Sequence, residues 1–102
     1  MVELIGALVS GFFFFNAIPH LVQGICGKRH MTPFSRQSPA VVNVIWGWIN
    51  IILGVYIGSV SWPEEGCTLL WWVIFALGGL MISLFLAVFW SNPDARLPWH
   101  KD

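Results

Sequence analysis

The chain has 102 residues, of which 57% are hydrophobic and only 10% are charged, and its formal net charge is zero. Soluble domains carry roughly 25% charged residues, and a soluble fold of this size has too much surface to hide so much apolar area. The composition therefore favours a membrane protein. The zero net charge gives no electrostatic basis for binding nucleic acid.

Three uncharged stretches, at residues 4–27, 37–63 and 66–93, divide the chain. A helix needs about 20 mainly apolar residues to cross a bilayer, so each stretch is long enough for one crossing and too short for two. The alternation of apolar and polar residues that is typical of barrel strands is absent from the sequence. We expect one all-α integral membrane domain over residues 1–102, with three transmembrane helices at about 4–26, 40–61 and 67–91 and a tail at 92–102.

The charges between the spans predict an orientation. The first loop contains three basic residues and no acid: Lys28, Arg29 and Arg36. The second loop contains two acids and no base: Glu64 and Glu65. Short basic loops stay in the cytoplasm, so we expect the N terminus outside and the C-terminal tail, with Arg96 and Lys101, inside.

Span one contains the most suggestive polar residues. Asn16, His20 and Gln23 share one face of an ideal helix. Pro19 lies among them, leaves the carbonyl of Phe15 without its usual N–H partner and is a candidate hinge. Polar side chains inside a bilayer must find partners and are candidates for function. For His20 the open interpretations are an interhelical hydrogen bond, a role in solute contact or proton handling, and ligation of a haem or metal.

Spans two and three each carry a stripe of small or polar residues. In span two the stripe comprises Asn43, Gly47, Asn50, Gly54 and Gly58. It is interpreted either as a helix–helix seam joined by asparagine hydrogen bonds or as a face that lines a solute path. In span three the stripe comprises Ala76, Gly79, Ser83 and Ala87, with Trp72 on the same side, and predicts a packing face.

The remaining histidines and cysteines give no sign of a cofactor. His30 and His100 are expected to be surface groups at the inner interface. Cys26 and Cys67 are expected at opposite membrane faces, too far apart for a disulfide. A metal site needs more ligands than the spans supply, so we predict neither a metal nor a cofactor.

Several short strings, in order, resemble a family of small uncharacterised bacterial membrane proteins. They are Asn16-Ala17-Ile18-Pro19-His20, then Gly24, Gly27 and Arg29, then Thr32-Pro33-Phe34 and Ser38-Pro39, and then Val42-Asn43-Val44-Ile45-Trp46-Gly47. The similarity covers about residues 5–55. It implies a multi-pass protein of the bacterial inner (cytoplasmic) membrane and no particular activity.

A second resemblance, to the SemiSWEET sugar transporters, is confined to the first helix and the loop after it. It consists of Leu4-Ile5-Gly6, a mid-helix proline followed by a polar residue, and a short basic loop. This chain has Pro19-His20 where those proteins have Pro-Gln. The resemblance implies a three-helix subunit that dimerises around a solute, with Trp46, Trp48 and Asn50 as candidates to contact it.

Three hypotheses for function follow. The first is a homo-oligomeric protein that binds or transports a small solute, with Asn16, His20, Asn43, Trp46 and Asn50 as its site and Pro19 as its hinge. The second is a structural or accessory subunit that packs against a larger membrane partner. The third is a membrane redox protein that uses His20 with a haem or quinone, which is ranked last because no second strong ligand lies in the spans. An enzyme is not expected.

Overall fold

Three long helices dominate the computed structural model, which describes residues 1–100. They are α1 (Val2–Ile25), α2 (Ala40–Ser61) and α3 (Thr68–Trp90), of 24, 22 and 23 residues. At about 1.5 Å per residue each exceeds the roughly 30 Å of hydrocarbon in a bilayer. All three are long and apolar enough to cross a membrane, so the prediction of three apolar helices is confirmed. Lys101, expected in the inner tail, lies outside the described residues.

The first loop contains a β-hairpin that the prediction of an all-α chain missed. Strand β1 (His30–Thr32) pairs antiparallel with β2 (Ser35–Ser38). Gly27, at φ 75°, ends the helical region with a left-handed residue, and Pro39 caps the start of α2. Strands of three and four residues are too short to show a periodic pattern, so the sequence predicted only a loop.

Helix α1 is the central helix, because α2 and α3 pack mainly on it rather than on each other. Backbone contact is closest between α1 and α3. A Cβ added to Gly11 would meet the carbonyl oxygen of Phe75, and one added to Gly78 would meet the carbonyl oxygen of Leu8. In lipid, helices associate largely through such close approach, which small residues permit.

The stripe that the sequence places on one side of α2 is the buried face of that helix, against α1. Its buried members are Asn43, Gly47, Asn50, Gly54 and Gly58, together with Ser61. Across this interface Ser10 Oγ donates a hydrogen bond of 2.7 Å to the carbonyl oxygen of Gly54. A Cβ on Gly58 would lie 2.9 Å from the same Ser10 hydroxyl.

The buried face of α3 differs from the predicted stripe. The buried residues are Trp71, Gly78, Gly79 and Ile82, whereas Trp72, Ala76, Ser83 and Ala87 are exposed within the chain. The Ser83 hydroxyl donates to the Gly79 carbonyl of its own helix, 2.7 Å away. The face of α3 that contacts α1 contains Trp71 and the adjacent glycines. It lies about one residue, or 100°, around the helix from the stripe that the small residues alone predict.

The tail folds back over the hairpin. Trp99 Nε1 donates to the Pro33 carbonyl oxygen at 2.7 Å. His100 Nδ1 accepts from the Leu97 N–H at 3.2 Å, so in the neutral ring Nε2 carries the proton and donates to the Thr32 carbonyl oxygen at 2.8 Å. His100 is only 4% exposed, and the prediction that it is a surface group is wrong.

Candidate functional site

Two polar residues of α1, one helical turn apart, are joined to two asparagines of α2. Asn16 Nδ2 lies 3.1 Å from Asn50 Oδ1, and His20 Nδ1 lies 3.0 Å from Asn43 Oδ1. Both asparagines of α2 are buried, and so is His20. The four residues predicted as a polar cluster therefore meet as two hydrogen-bonded pairs between α1 and α2.

The orientation of the Asn43 amide is fixed by backbone carbonyl oxygens, which can only accept hydrogen bonds. Its Nδ2 lies 2.9 Å from the His30 oxygen and 3.1 Å from the Ser38 oxygen, and it also reaches the Pro39 oxygen at 3.2 Å. Oδ1 therefore faces His20, so His20 Nδ1 must be the donor. In the neutral ring the other nitrogen, Nε2, is then an acceptor.

The same reasoning applies to Asn50. Its Nδ2 donates to the Trp46 carbonyl oxygen at 2.9 Å, which leaves Oδ1 to accept from Asn16. Asn16 must therefore donate through its own Nδ2, and its Oδ1 remains an acceptor. Both polar residues of α1 thus donate toward α2 and keep an unused acceptor, and Asn16 Nδ2 also has a second N–H.

A partly open groove of about 240 Å³ lies beside these acceptors, and we call it the His20 groove. Asn16, His20 and Trp46 line it on the α1 and α2 side. Helix α3 contributes apolar and aromatic side chains: Ile82, Phe85, Leu86, Phe89 and Trp90. The hairpin and the tail close one end with Met31, Thr32, Pro33 and Leu97.

His20 lines this groove, and its Nε2 is partly accessible. This nitrogen forms no hydrogen bond within residues 1–100, yet it is not among the sealed polar atoms without a partner in that range. Those sealed atoms are His30 Nε2 and Trp90 Nε1. His20 Nε2 therefore retains accessible surface, and the His20 groove is the cavity that its side chain lines.

His30 joins the cluster from the hairpin, which the sequence did not predict. Its ring centroid lies 5.3 Å from that of His20 and 4.4 Å from that of Trp90. Burial, and to a smaller extent the neighbouring His20, together lower the pKa of His30 to about 4. His30 is half-buried and neutral at physiological pH, so its assignment as a surface group is wrong.

The remaining predicted residues lie outside the groove. Pro19 is half-buried, and α1 continues through it to Ile25. A Cβ on Gly47 would lie 3.1 Å from the Leu21 nitrogen, and one on Gly54 would lie 2.7 Å from the Phe14 ring. A Cβ on Gly79 would meet the Phe15 ring, whereas the Ser83 hydroxyl donates to the Gly79 carbonyl oxygen of its own helix.

Comparison with protein-family models, with curated proteins and with solved structures finds no match to this chain.

The arrangement has the chemistry of a binding site. Within residues 1–100 no group of three or more His, Cys, Asp or Glu side chains comes together to hold a metal ion. What the groove offers instead is two hydrogen-bond acceptors on α1 opposite an apolar wall on α3. Concave, mostly apolar cavities with a few convergent polar groups are the usual form of small-molecule sites.

Proposed function

We propose that this chain is a multi-pass protein of the bacterial inner membrane that binds a small solute in the His20 groove and transports it. The hairpin end of the molecule would face the cytoplasm, because the first loop carries Lys28, Arg29 and Arg36 and short basic loops stay inside. This orientation places the N terminus outside and the tail inside.

The observation that carries the proposal is the unused acceptor of His20 at the groove. Nε2 has no hydrogen-bond partner in the described chain, although His20 is only 7% exposed. A polar atom at membrane depth has no water to bond with, and leaving it unpaired costs several kcal/mol. A solute that donates to Nε2 would remove that cost.

The proposal places the site within one chain. Asn43 and Asn50 are 0% and 2% exposed, and their hydrogen bonds are already formed between α1 and α2. A second copy is therefore not needed to bury them. For transport we nevertheless propose a homo-oligomer, because the groove is partly open and three helices do not enclose it.

Pro19 is the proposed hinge for movement. It lies next to His20 and removes the hydrogen bond that the Phe15 carbonyl would otherwise receive. Bending of α1 at this point would change the width of the His20 groove while its outer half stays packed on α3 through Gly11. Alternating access is a known design for transporters.

The experiment that tests binding compares the small molecules that co-purify with variants of the protein. His20→Leu removes the acceptor, and Leu86→Trp fills the groove without touching the His20–Asn43 pair. Tyr56→Phe, on the exposed side of α2, is the matched control. We expect mass spectrometry to find a compound depleted at least tenfold in both groove variants and retained in the control. Equal amounts in all four proteins would refute the proposed site.

Transport is tested separately, with the compound so identified. Proteoliposomes containing the parent protein should take it up saturably, and those containing Pro19→Ala should bind it but take it up more slowly. If the parent protein binds the compound but does not take it up, the protein binds the solute without transporting it, and the transport proposal is refuted.

A second candidate, an accessory subunit, is favoured by the exposed small residues of α3. Ala76, Ser83 and Ala87 are exposed within residues 1–100, and small residues at this spacing permit close approach of another helix. Extraction in a mild detergent discriminates between the two. A homogeneous homo-oligomer favours the first candidate, and co-purification with one partner in fixed proportion favours the second.

A further inference from the structure

We infer that the ligand of the His20 groove is a neutral amphiphile whose polar end donates hydrogen bonds, such as a hydroxylated aromatic or aliphatic molecule. This inference rests on the proposed binding function. It concerns the chemical class of the ligand, which follows from three features of the groove.

The first feature is the direction of the hydrogen bonds. The carbonyl oxygens that fix Asn43 and Asn50 lie in the hairpin, at the start of α2 and within α2. They force both amide oxygens toward α1, and Asn16 and His20 must then donate toward α2. Asn16 Oδ1 and His20 Nε2 are left to accept, so a ligand that bonds to them has to bring the proton, while the second N–H of Asn16 Nδ2 and the Trp46 indole N–H can donate to an oxygen of the same ligand.

Few other polar groups in the groove compete with this requirement. The Thr32 hydroxyl is bonded to the Ser38 hydroxyl at 2.6 Å, and the Ser38 hydroxyl also lies 3.3 Å from the Ser35 carbonyl oxygen. Trp46 also lines the groove, and its indole N–H forms no hydrogen bond within residues 1–100. A ligand hydroxyl suits both kinds of group, because it donates one hydrogen bond and accepts others.

The second feature is the absence of a countercharge along the groove. None of its lining residues is an acid. The acids in the described chain are Glu3, Glu64, Glu65 and Asp94, and all four lie outside the lining. Burying an ammonium ion without a carboxylate costs far more than burying a hydrogen-bonded hydroxyl. The donor on the ligand is therefore neutral.

The third feature is the apolar wall and its size. Ile82, Phe85 and Phe89 face a volume of about 240 Å³, which corresponds to about eight water molecules at roughly 30 Å³ each. A molecule with many hydroxyls would leave most of them against these side chains without partners. One or two donors on an apolar body match the groove, and its open side allows a longer chain to extend into lipid.

The test uses 2-naphthol and 2-methoxynaphthalene, in which a methyl group replaces the hydroxyl proton, with the full-length protein in a nonionic detergent. Binding is measured by equilibrium dialysis at neutral pH, and ¹⁵N NMR of labelled histidine reports on His20 Nε2. We expect 2-naphthol to bind at least tenfold more tightly and to shift the Nε2 signal, while the ether leaves that signal unchanged. His20→Leu should remove the preference, and Leu86→Trp should weaken binding of both probes.

The outcomes distinguish failure of the ligand class from failure of the proposed binding site. Binding of both probes within twofold, blocked by Leu86→Trp, would overturn the requirement for a donor but keep the site. Binding of neither probe would overturn both. A preference for 2-naphthol that survives in His20→Leu and in Leu86→Trp lies outside the groove and would also overturn the inference. The probe pair on the parent protein decides the matter even if His20→Leu does not fold.

Discussion

Replacing Asn43 by leucine should destabilise the protein more than the same change at Asn50. Leucine has a similar volume, so the effect reports lost hydrogen bonds rather than a cavity. Asn43 accepts from His20 at 3.0 Å and donates toward His30 and Ser38 at 2.9 and 3.1 Å. It thereby connects α1, the hairpin and the start of α2.

The magnitude follows from the hydrogen bonds that each substitution removes. Side-chain hydrogen bonds between membrane helices are worth about 0.6 kcal/mol on average and about 1.7 at most. Asn43→Leu removes the bond from His20 and the Nδ2 contacts with three backbone carbonyl oxygens, and it leaves the buried His20 N–H unpaired, so we expect a loss of about 2–4 kcal/mol in the free energy of unfolding. Asn50→Leu removes one interhelical bond, to Asn16, and a bond to a carbonyl of its own helix, so we expect a loss of about 1 kcal/mol.

The assay is reversible unfolding in mixed micelles, followed by tryptophan fluorescence and circular dichroism. Asn92→Ala, at an exposed site beyond α3, removes a hydrogen bond that its Oδ1 accepts from the Asp94 N–H but no contact between helices, so it should stay within about 1 kcal/mol of the parent. A double-mutant cycle of Asn43→Leu with His20→Leu should give a coupling of about 0.6–1.7 kcal/mol. The reasoning fails if Asn43→Leu costs no more than Asn50→Leu, or if the cycle shows no coupling.

Three further predictions use matched pairs or a pH series. Gly78→Leu should lower the free energy of unfolding by about 1–3 kcal/mol, because the new side chain would meet a carbonyl oxygen of α1. Ala76→Leu, on the exposed side of α3, should be near neutral in the same unfolding assay. Equal effects of the two variants would refute the α1–α3 packing. Trp71→Phe removes a 3.1 Å hydrogen bond to the end of α2 and should cost about 0.5–1.5 kcal/mol, while the exposed Trp72→Phe should cost less; the reverse order would contradict the assigned face. The pKa of His30 is lowered to about 4 from an ordinary value of 6.5, so the unfolded chain binds the proton at a higher pH than the folded protein does. The free energy of unfolding should therefore fall as the pH drops from about 6.5 to 4. His30→Phe should make this pH dependence weaker, and an unchanged dependence would refute the burial of His30.

The sequence predicted the structure where the physical chemistry of its residues permits only one arrangement. Long uncharged stretches must satisfy their backbone groups internally in lipid, so they form helices, and their lengths give the number of helices. The sequence also predicted the face of α2 that contacts α1. Asn43, Gly47 and Gly54 are the small and polar exceptions among large apolar side chains, and they lie where backbones approach and hydrogen bonds form.

Helix α3 shows where the same reasoning stops. Nearly all of its side chains are apolar. In lipid, an apolar side chain has a similar free energy whether it contacts another helix or acyl chains. Small residues occur on more than one side, so their spacing did not select the face with Gly78 and Ile82 over the face with Ser83. That selection depends on the surface that α1 presents.

The site itself divides in the same way. The sequence by itself determined that Asn16 and His20 lie one turn apart on a membrane-length helix and must find polar partners. Only the tertiary structure decided which partners they find, that the hairpin and the tail close the end of the groove, and which atoms of Asn16 and His20 stay unused. Those outcomes depend on carbonyl oxygens of the hairpin and on contacts between residues up to 68 positions apart, as between Thr32 and His100. Local spacing along a helix carries no information about groups that only folding brings together.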